Sequence, residues 1–216
     1  MAKKEYNYLK NLRKSRAISG DSATFLAEYQ AQKLALWFPE KIDQNISILD
    51  FGCGDGLMTS FIRHIFTHAT IYGVDPSAEH IALAKDMYED ITFSVSDDSL
   101  AFADNTFDLI YATEVFHHIQ HIKHAAYCAE LIRILKPGGT LIIFELNPLN
   151  LATVYRFKTN PLERDAHLIA PWSLRRLLKS YGSTKIRFYD FFWHTFESYL
   201  TWFPFGGLYA ISVTKK

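Results

Sequence analysis

Residues 45–59 read N-I-S-I-L-D-F-G-C-G-D-G-L-M-T, and this stretch decides the fold of the chain. Its apolar run, residues 46–51 with two polar interruptions, is typical of a buried parallel strand. Glycines then alternate with other residues at positions 52, 54 and 56. Glycine permits a sharp turn and the close approach of a ligand, and a following helix offers free N–H groups to the ligand's acceptor atoms. The stretch therefore predicts a strand, a ligand-binding turn and a helix that begins near Leu57.

The spacing of these glycines separates two kinds of cofactor-binding turn. Dinucleotide-binding turns have the pattern G-x-G-x-x-G, in which the third glycine lets the helix pack closely on the strand. Counted from Gly52, that third glycine would fall at position 57, which is a leucine. The chain has Asp50 followed by three alternating glycines instead. This D-x-G-x-G-x-G pattern resembles motif I of the class I S-adenosylmethionine (SAM)-dependent methyltransferases.

Later segments resemble further motifs of that family, in the same order along the chain. A second strand, residues 71–75, ends in Asp75, whose carboxylate can accept two hydrogen bonds from a ribose diol. After a third strand, residues 91–95, the resemblance implies an acid that contacts the adenine amino group. Asp97 is favoured for this role, with Ser96 and Asp98 as alternatives. The resemblance continues through residues 102–110, 111–119, 135–139 and 140–145.

The resemblance implies a fold, a cofactor and a set of cofactor contacts. The expected fold is α/β, with a Rossmann-like seven-stranded sheet, mostly parallel, and helices on both faces. Its last strand is expected to run antiparallel between the fifth and the sixth. The implied cofactor is SAM, with S-adenosyl-L-homocysteine (SAH) as product. The implied cofactor-binding residues are Asp50, Gly52, Cys53, Gly54, Asp75, Pro76, Asp97, Asp98, Thr113 and His118.

Histidines after the expected fourth strand are the candidate catalytic groups. His117 and His118 fall where cofactor and substrate meet in the family, and either could act as general base, since imidazole titrates near neutral pH. Glu145, at the end of the fifth strand, is the alternative base or orienting group. His121 and His124 are expected to be exposed at a helix start, and the sequence predicts no metal site.

The composition of the chain indicates which partners and which cellular compartment suit it. The 216 residues carry a formal net charge of zero, which argues against a nucleic-acid substrate. Two cysteines, one of them in the glycine turn, make a structural disulfide unexpected and suit a reducing cytoplasm. No leader sequence is recognised, and no apolar stretch approaches the ~20 residues of a membrane span.

The chain is expected to form one compact domain with three distinctive segments. Residues 1–45 are predicted to form an N-terminal helical cap, whose basic start is either a solvated arm or a lid, and residues 46–216 the methyltransferase domain. Residues 147–170 form a predicted insertion on the substrate side. The aromatic segment 191–205 has four interpretations: a buried connection, which is favoured slightly, an apolar substrate wall, a homodimer contact or a membrane-surface patch.

The predicted function is direct in-line transfer of a methyl group from SAM to a small-molecule acceptor, at a hydroxyl or carboxylate oxygen. The acceptor could be apolar or lipid-linked. Two alternatives remain at this point: an NAD(P)-dependent oxidoreductase, which Leu57 disfavours, and a SAM-binding regulator without turnover, which would need the same cofactor residues.

Overall fold

The computed structural model describes residues 23–96, 99–160, 163–189 and 206–216. Helices in these ranges are α1 (Ala23–Trp37), α2 (Leu57–Ile65), α3 (Ala78–Met87), α4 (His124–Ile134), α5 (Leu151–Thr159) and α6 (Pro171–Leu178). The strands are β1 (Ser47–Phe51), β2 (Thr70–Asp75), β3 (Thr92–Val95), β4 (Phe107–Thr113), β5 (Leu135–Leu146), β6 (Gly182–Tyr189) and β7 (Leu208–Lys215). Short 3₁₀ turns span Pro39–Lys41, Phe116–His118 and His121–Lys123.

The strands form one seven-stranded sheet in the order β3-β2-β1-β4-β5-β7-β6. Pairing is parallel from β3 through β5, while β7 runs antiparallel to both β5 and β6. The predicted fold class is therefore confirmed, including the antiparallel strand between the fifth and sixth. Strand order reverses at β1, which lies between β2 and β4. In open α/β sheets such a reversal opens a crevice at the carboxyl ends of the strands, where ligands bind.

Hydrophobic side chains alternate between the two faces of the sheet. Ile48 of β1 joins a core with α1, α2 and α3, while the next residue, Leu49, joins a second core with α4 and α6. Successive side chains of a strand point to opposite faces, so a strand buried on both sides needs apolar residues throughout. The nearly continuous apolar pattern of β1, β4 and β5 meets this requirement and produces three layers, helix on sheet on helix.

One boundary differs from the expectation. Residues 135–139, L-K-P-G-G, resemble a turn before the fifth strand, but β5 already begins at Leu135. Its register against β4 shifts between the pairs Phe107–Leu135 and Leu109–Thr140. Gly138, with a φ of 76°, lies within the shifted segment. The Pro-Gly-Gly sequence is thus accommodated as an irregularity of the strand.

Several expectations fall outside the described residues. These are the basic start of the N-terminal segment (1–22), the adenine-contacting candidates Asp97 and Asp98, residues 161–162 of the insertion and the whole of the aromatic segment, 191–205.

Candidate active site

The glycine turn after β1 lies in the crevice where the strand order reverses. Gly52, Gly54 and Gly56 have φ values of 79°, 54° and 80°, in the left-handed region that favours glycine. A Cβ added at Gly52 would lie 2.3 Å from Cγ2 of Val115, so the turn packs against the loop after β4. A Cβ at Gly54 would meet nothing within 4 Å. The backbone at Gly54 is therefore open to a ligand, as a cofactor-binding turn requires.

Asp75 lies beside this turn because β1 and β2 are paired in parallel. Its Oδ2 accepts a hydrogen bond from the Gly54 N–H (3.0 Å), and its Oδ1 accepts one from the Ser77 N–H (2.9 Å). The Nδ1 of His80 lies 3.6 Å from Oδ1. Burial alone would raise the pKa of Asp75, but the hydrogen bonds from His80, Ser77 and Gly54 lower it below its usual value. A carboxylate has about four lone-pair sites, so the charged group retains the capacity to accept a further hydrogen bond.

Asp50 lies beneath the turn rather than in its open space. Its Oδ2 accepts hydrogen bonds from the hydroxyl of Thr59 at 2.6 Å and from that of Tyr111 at 2.8 Å. The side chain is buried, and burial raises its pKa to about 7, although both hydrogen bonds act in the opposite direction. In the geometry observed, Asp50 joins the start of α2 to β4 below the predicted cofactor site.

Asp50→Asn is expected to change how stability depends on pH. The folded-state pKa is about 7 and the reference value is 3.8, so the folded protein keeps this proton where the unfolded chain has lost it. Wild-type stability should fall as pH rises from about 4 to 7, by at most about 4 kcal/mol from this group. The amide does not titrate. The unfolding free energy of the variant should therefore increase relative to that of the wild type between pH 5 and 8. Urea denaturation of both proteins without cofactor measures this difference; a constant difference across that range would contradict it.

Three further predicted cofactor residues, Cys53, Thr113 and Pro76, belong to or follow the strands that meet at the turn. The Sγ of buried Cys53 lies 3.7 Å from the Gly54 carbonyl oxygen, and burial raises the pKa of this thiol far above its usual range. Thr113, at the end of β4, directs its hydroxyl to Sδ of Met58 at 3.1 Å. Pro76 is exposed directly after β2. These residues therefore share one edge of the sheet with Gly54 and Asp75.

Glu145 and His117 form a buried pair at the ends of β5 and β4. The Nδ1 of His117 lies 2.7 Å from Oε2 of Glu145, and both side chains are 1% exposed. The other oxygen, Oε1, accepts hydrogen bonds from the backbone N–H groups of Phe116 (2.8 Å) and His117 (3.3 Å). Burial alone would lower the pKa of His117, but the hydrogen bond to Glu145 and the nearby carboxylate of Glu163 raise it to about 10. Glu145 thus fixes the 3₁₀ turn, and neither member of the pair faces solvent.

Removing the charge of Glu145 is expected to destabilise the fold. Glu145→Gln removes the closer of the two carboxylates beside His117 and leaves only Glu163, at 3.4 Å. Breaking a buried ion pair on one side typically costs ~3 kcal/mol or more. Chemical denaturation should show this loss of unfolding free energy. The matched control is Glu89→Gln, an exposed glutamate after α3, which should stay within about 0.5 kcal/mol of wild type. Equal stability of the two variants would show that the buried pair has no such role.

His118 differs from its neighbour in exposure. Its side chain is 52% exposed, and burial together with the adjacent His117 lowers its pKa. A second carboxylate, Glu163, lies between the two histidines: its Oε2 is 3.4 Å from Nε2 of His117 and 3.7 Å from Nε2 of His118. No motif in the sequence singles out Glu163. Its position in the insertion after β5, at the same edge of the sheet, was the only available signal.

One expectation about the histidines is wrong. His124 was expected to be exposed at a helix start, but its side chain is buried and its Nε2 lies 3.0 Å from the carbonyl oxygen of Phe116 and 2.9 Å from that of Ile119. The ring of His124 thus contacts backbone carbonyl oxygens at this 3₁₀ turn, while Glu145 accepts hydrogen bonds from backbone N–H groups of the same turn. His121 is exposed, as expected.

The two groups of residues meet through the contact between Gly52 and Val115. One group, at the ends of β1 and β2, offers an open backbone turn and a charged carboxylate; the other, at the ends of β4 and β5, offers an exposed imidazole. The methyltransferase domain family matches residues 23–187 of this chain. The chain belongs to this family. The family assignment and the geometry of the turn agree on SAM as the cofactor of this methyltransferase, and they give no support to the oxidoreductase alternative.

Curated relatives of this methyltransferase act on several kinds of molecule, according to their names. The rat mitochondrial ubiquinone biosynthesis O-methyltransferase is 31% identical over 125 residues, covering 54% of this chain and 35% of the relative. Trans-aconitate 2-methyltransferase of Azoarcus sp. is 31% identical over 102 residues, covering 47% of this chain and 40% of the relative. The matches to the ubiquinone-pathway relatives from mouse, rat and Rhizobium span 35–42% of their length.

Solved structures show the same fold. A SAM-dependent methyltransferase from Archaeoglobus fulgidus superposes with a TM-score of 0.69 at 17% identity, covering 88% of this chain and 94% of that one. Phosphoethanolamine N-methyltransferase 2 of Haemonchus contortus, in complex with SAM, gives a TM-score of 0.63 at 17% identity, covering 85% of this chain and 52% of that one. Among the described residues, none of the helices is both long and apolar enough to cross a bilayer.

Proposed function

We propose that this methyltransferase transfers the methyl group of SAM to an oxygen atom of a small-molecule acceptor. The observation that supports the proposal is the contact between the glycine turn and the loop that bears His118, because it brings an open backbone turn close to a segment with an exposed imidazole. Names of the curated relatives, several of them O-methyltransferases, support oxygen as the acceptor atom. Hydroxyl and carboxylate acceptors are both included.

In this proposal the residues near β1 and β2 hold the cofactor. Asp75 accepts hydrogen bonds from the ribose hydroxyls, and the open backbone at Gly54 lets the cofactor approach the turn. Asp97, Asp98, Pro76, Cys53 and Thr113 remain candidates for the surrounding contacts. Bound SAM supplies a methyl group on a positively charged sulfur, which leaves readily. The protein's own contribution is to hold the acceptor in line with that methyl and to exclude water.

The three candidate catalytic residues receive different roles. His118 is the exposed member, and we assign it the role of general base, which accepts the proton of the acceptor hydroxyl. His117 and Glu145 are buried against each other, so they act as positioning residues that fix the turn bearing His118. The insertion at 147–170 covers this side, with Phe157 of α5 packing its ring 6.0 Å from that of His117. The acceptor is proposed to enter between this insertion and the glycine turn.

The proposal also includes the domain division, the class of acceptor, the oligomeric state and the cellular location. They are the division into a cap at 1–45 and a methyltransferase domain at 46–216, an apolar or lipid-linked acceptor, a homodimer and a cytoplasmic location.

The cofactor and the transfer are tested separately. Calorimetric titration of the purified chain with SAH, and with NADH as control, should give binding of SAH alone. Release of SAH from SAM is then followed with a panel of phenols, alkyl alcohols and carboxylic acids. Turnover with an amine panel and not with oxygen acceptors would overturn the oxygen assignment, and binding of NADH without SAH would overturn the function itself.

A further inference from the structure

Three potential metal-ligand atoms lie close together, and one of them belongs to the exposed imidazole of His118. The Nε2 atoms of His117 and His118 and the Oε2 atom of Glu163 all lie within 4.8 Å of one another. The carboxylate oxygen is 3.4 Å from the first nitrogen and 3.7 Å from the second. With zinc–ligand bonds of about 2.1 Å, tetrahedral geometry puts neighbouring donor atoms about 3.4 Å apart. The observed separations therefore suit donors that share one ion, with a small inward shift of His118.

The orientation of His117 provides an independent indication. Its side chain is 1% exposed, and its Nε2 has no hydrogen-bond partner among the described residues. On the opposite side of the ring, Nδ1 lies 2.7 Å from Glu145. Histidines that bind metals usually donate their other N–H to a carboxylate, which fixes the ring and directs the free lone pair at the ion. Glu145 holds His117 in this arrangement, with Nε2 directed at Glu163.

Charge supports the same interpretation. Two carboxylates with side chains 1% and 9% exposed, Glu145 and Glu163, lie on either side of the His117 ring. Carboxylates removed from water need positive charge close by. A proton on Nε2 supplies it when no ion is bound, and a divalent cation can take that proton's place. Two imidazole nitrogens and one carboxylate form a ligand set typical of catalytic zinc sites.

We propose that His117, His118 and Glu163 bind a divalent cation of the zinc type. His118 is half exposed, so the ion keeps open positions toward solvent, as catalytic sites do and closed structural sites do not. The inference rests on the proposed function for its catalytic meaning. A bound ion would make His118 a ligand and would lower the pKa of the acceptor hydroxyl, whose proton would pass to water on the open side of the site. Cation binding itself requires neither SAM nor acceptor.

The test uses the full chain, freed of metal with a chelator and titrated with Zn²⁺ by calorimetry and with Co²⁺ by visible absorption. One ion per chain is expected, with Co²⁺ giving the d–d bands of a low-symmetry site. Glu163→Gln keeps the shape of the side chain and removes the anionic ligand, and His118→Ala removes an exposed one; each should weaken binding at least 100-fold. The control is His68→Ala, an exposed histidine after α2, which should bind as wild type does.

Two results would overturn the metal site: no stoichiometric ion on the wild type, or unchanged affinity in both ligand variants. SAH titration of the metal-free wild type runs in parallel. Retained SAH binding with no metal binding would refute this inference alone, whereas loss of SAH binding in a folded protein would count against the proposed function.

Discussion

Replacing His118 with alanine is expected to lower kcat by about 10²- to 10⁴-fold, the usual contribution of a positioned acid–base group. The side chain is half exposed in the 3₁₀ turn after β4, so its removal should not disturb the core. A cation held by His118 would be lost with it, so the direction of the effect is the same with or without the ion. Steady-state release of SAH, measured with the best acceptor of the panel, gives kcat and KM.

The control for this substitution is His121→Ala, an exposed histidine three residues further along the same segment. Its kcat should remain within about twofold of wild type, because it belongs to neither group of site residues. Affinity for SAH should be the same in both variants. A His118→Ala enzyme that retained wild-type kcat would remove His118 from the reaction and leave the acceptor's proton without an assigned recipient.

Asp75→Ala is expected to raise the Kd for SAH by about 100-fold or more. The carboxylate is proposed to accept two ribose hydrogen bonds, and hydrogen bonds to a charged group contribute ~1.5 kcal/mol each at the low end of the usual range. Together they amount to ~3 kcal/mol, and each 1.4 kcal/mol corresponds to a factor of ten. Calorimetric titration with SAH measures the change.

Asp75 also accepts hydrogen bonds from the N–H groups of Gly54 and Ser77, so alanine could displace the glycine turn as well. Asp75→Asn separates the two effects, because the amide oxygen keeps one of these contacts while the charge is lost. Asp86→Ala, an exposed acid on α3, is the matched control and should leave the Kd unchanged. Wild-type affinity in both Asp75 variants would show that the ribose lies elsewhere.

Local patterns in the sequence were sufficient for the fold and for expecting the glycine turn and Asp75 to lie side by side. The apolar runs of β1, β4 and β5 and the glycines between β1 and α2 are short-range signals, since strand burial and backbone turns depend on neighbouring residues. A carboxylate directly after β2 reaches the same crevice as Gly54 because parallel strands end at a common edge. The antiparallel placement of β7 came from the family resemblance, since no local pattern specifies the order of strands.

Local sequence patterns did not distinguish the two histidines on the acceptor side. His117 and His118 are adjacent and chemically identical in the sequence, yet one is buried with a raised pKa and the other is half exposed with a lowered pKa. The difference comes from Glu145, which is 28 residues away from His117 and holds both its ring and its turn, and from Glu163 in the insertion.

The amino-acid sequence by itself therefore determined the sheet, the glycine turn and the family. Only the folded structure shows which histidine is exposed, which one is buried against Glu145, and that Glu163 lies between them. The physical reason is that burial and pKa depend on charges brought close by folding, whereas turns and strand patterns are written in consecutive residues.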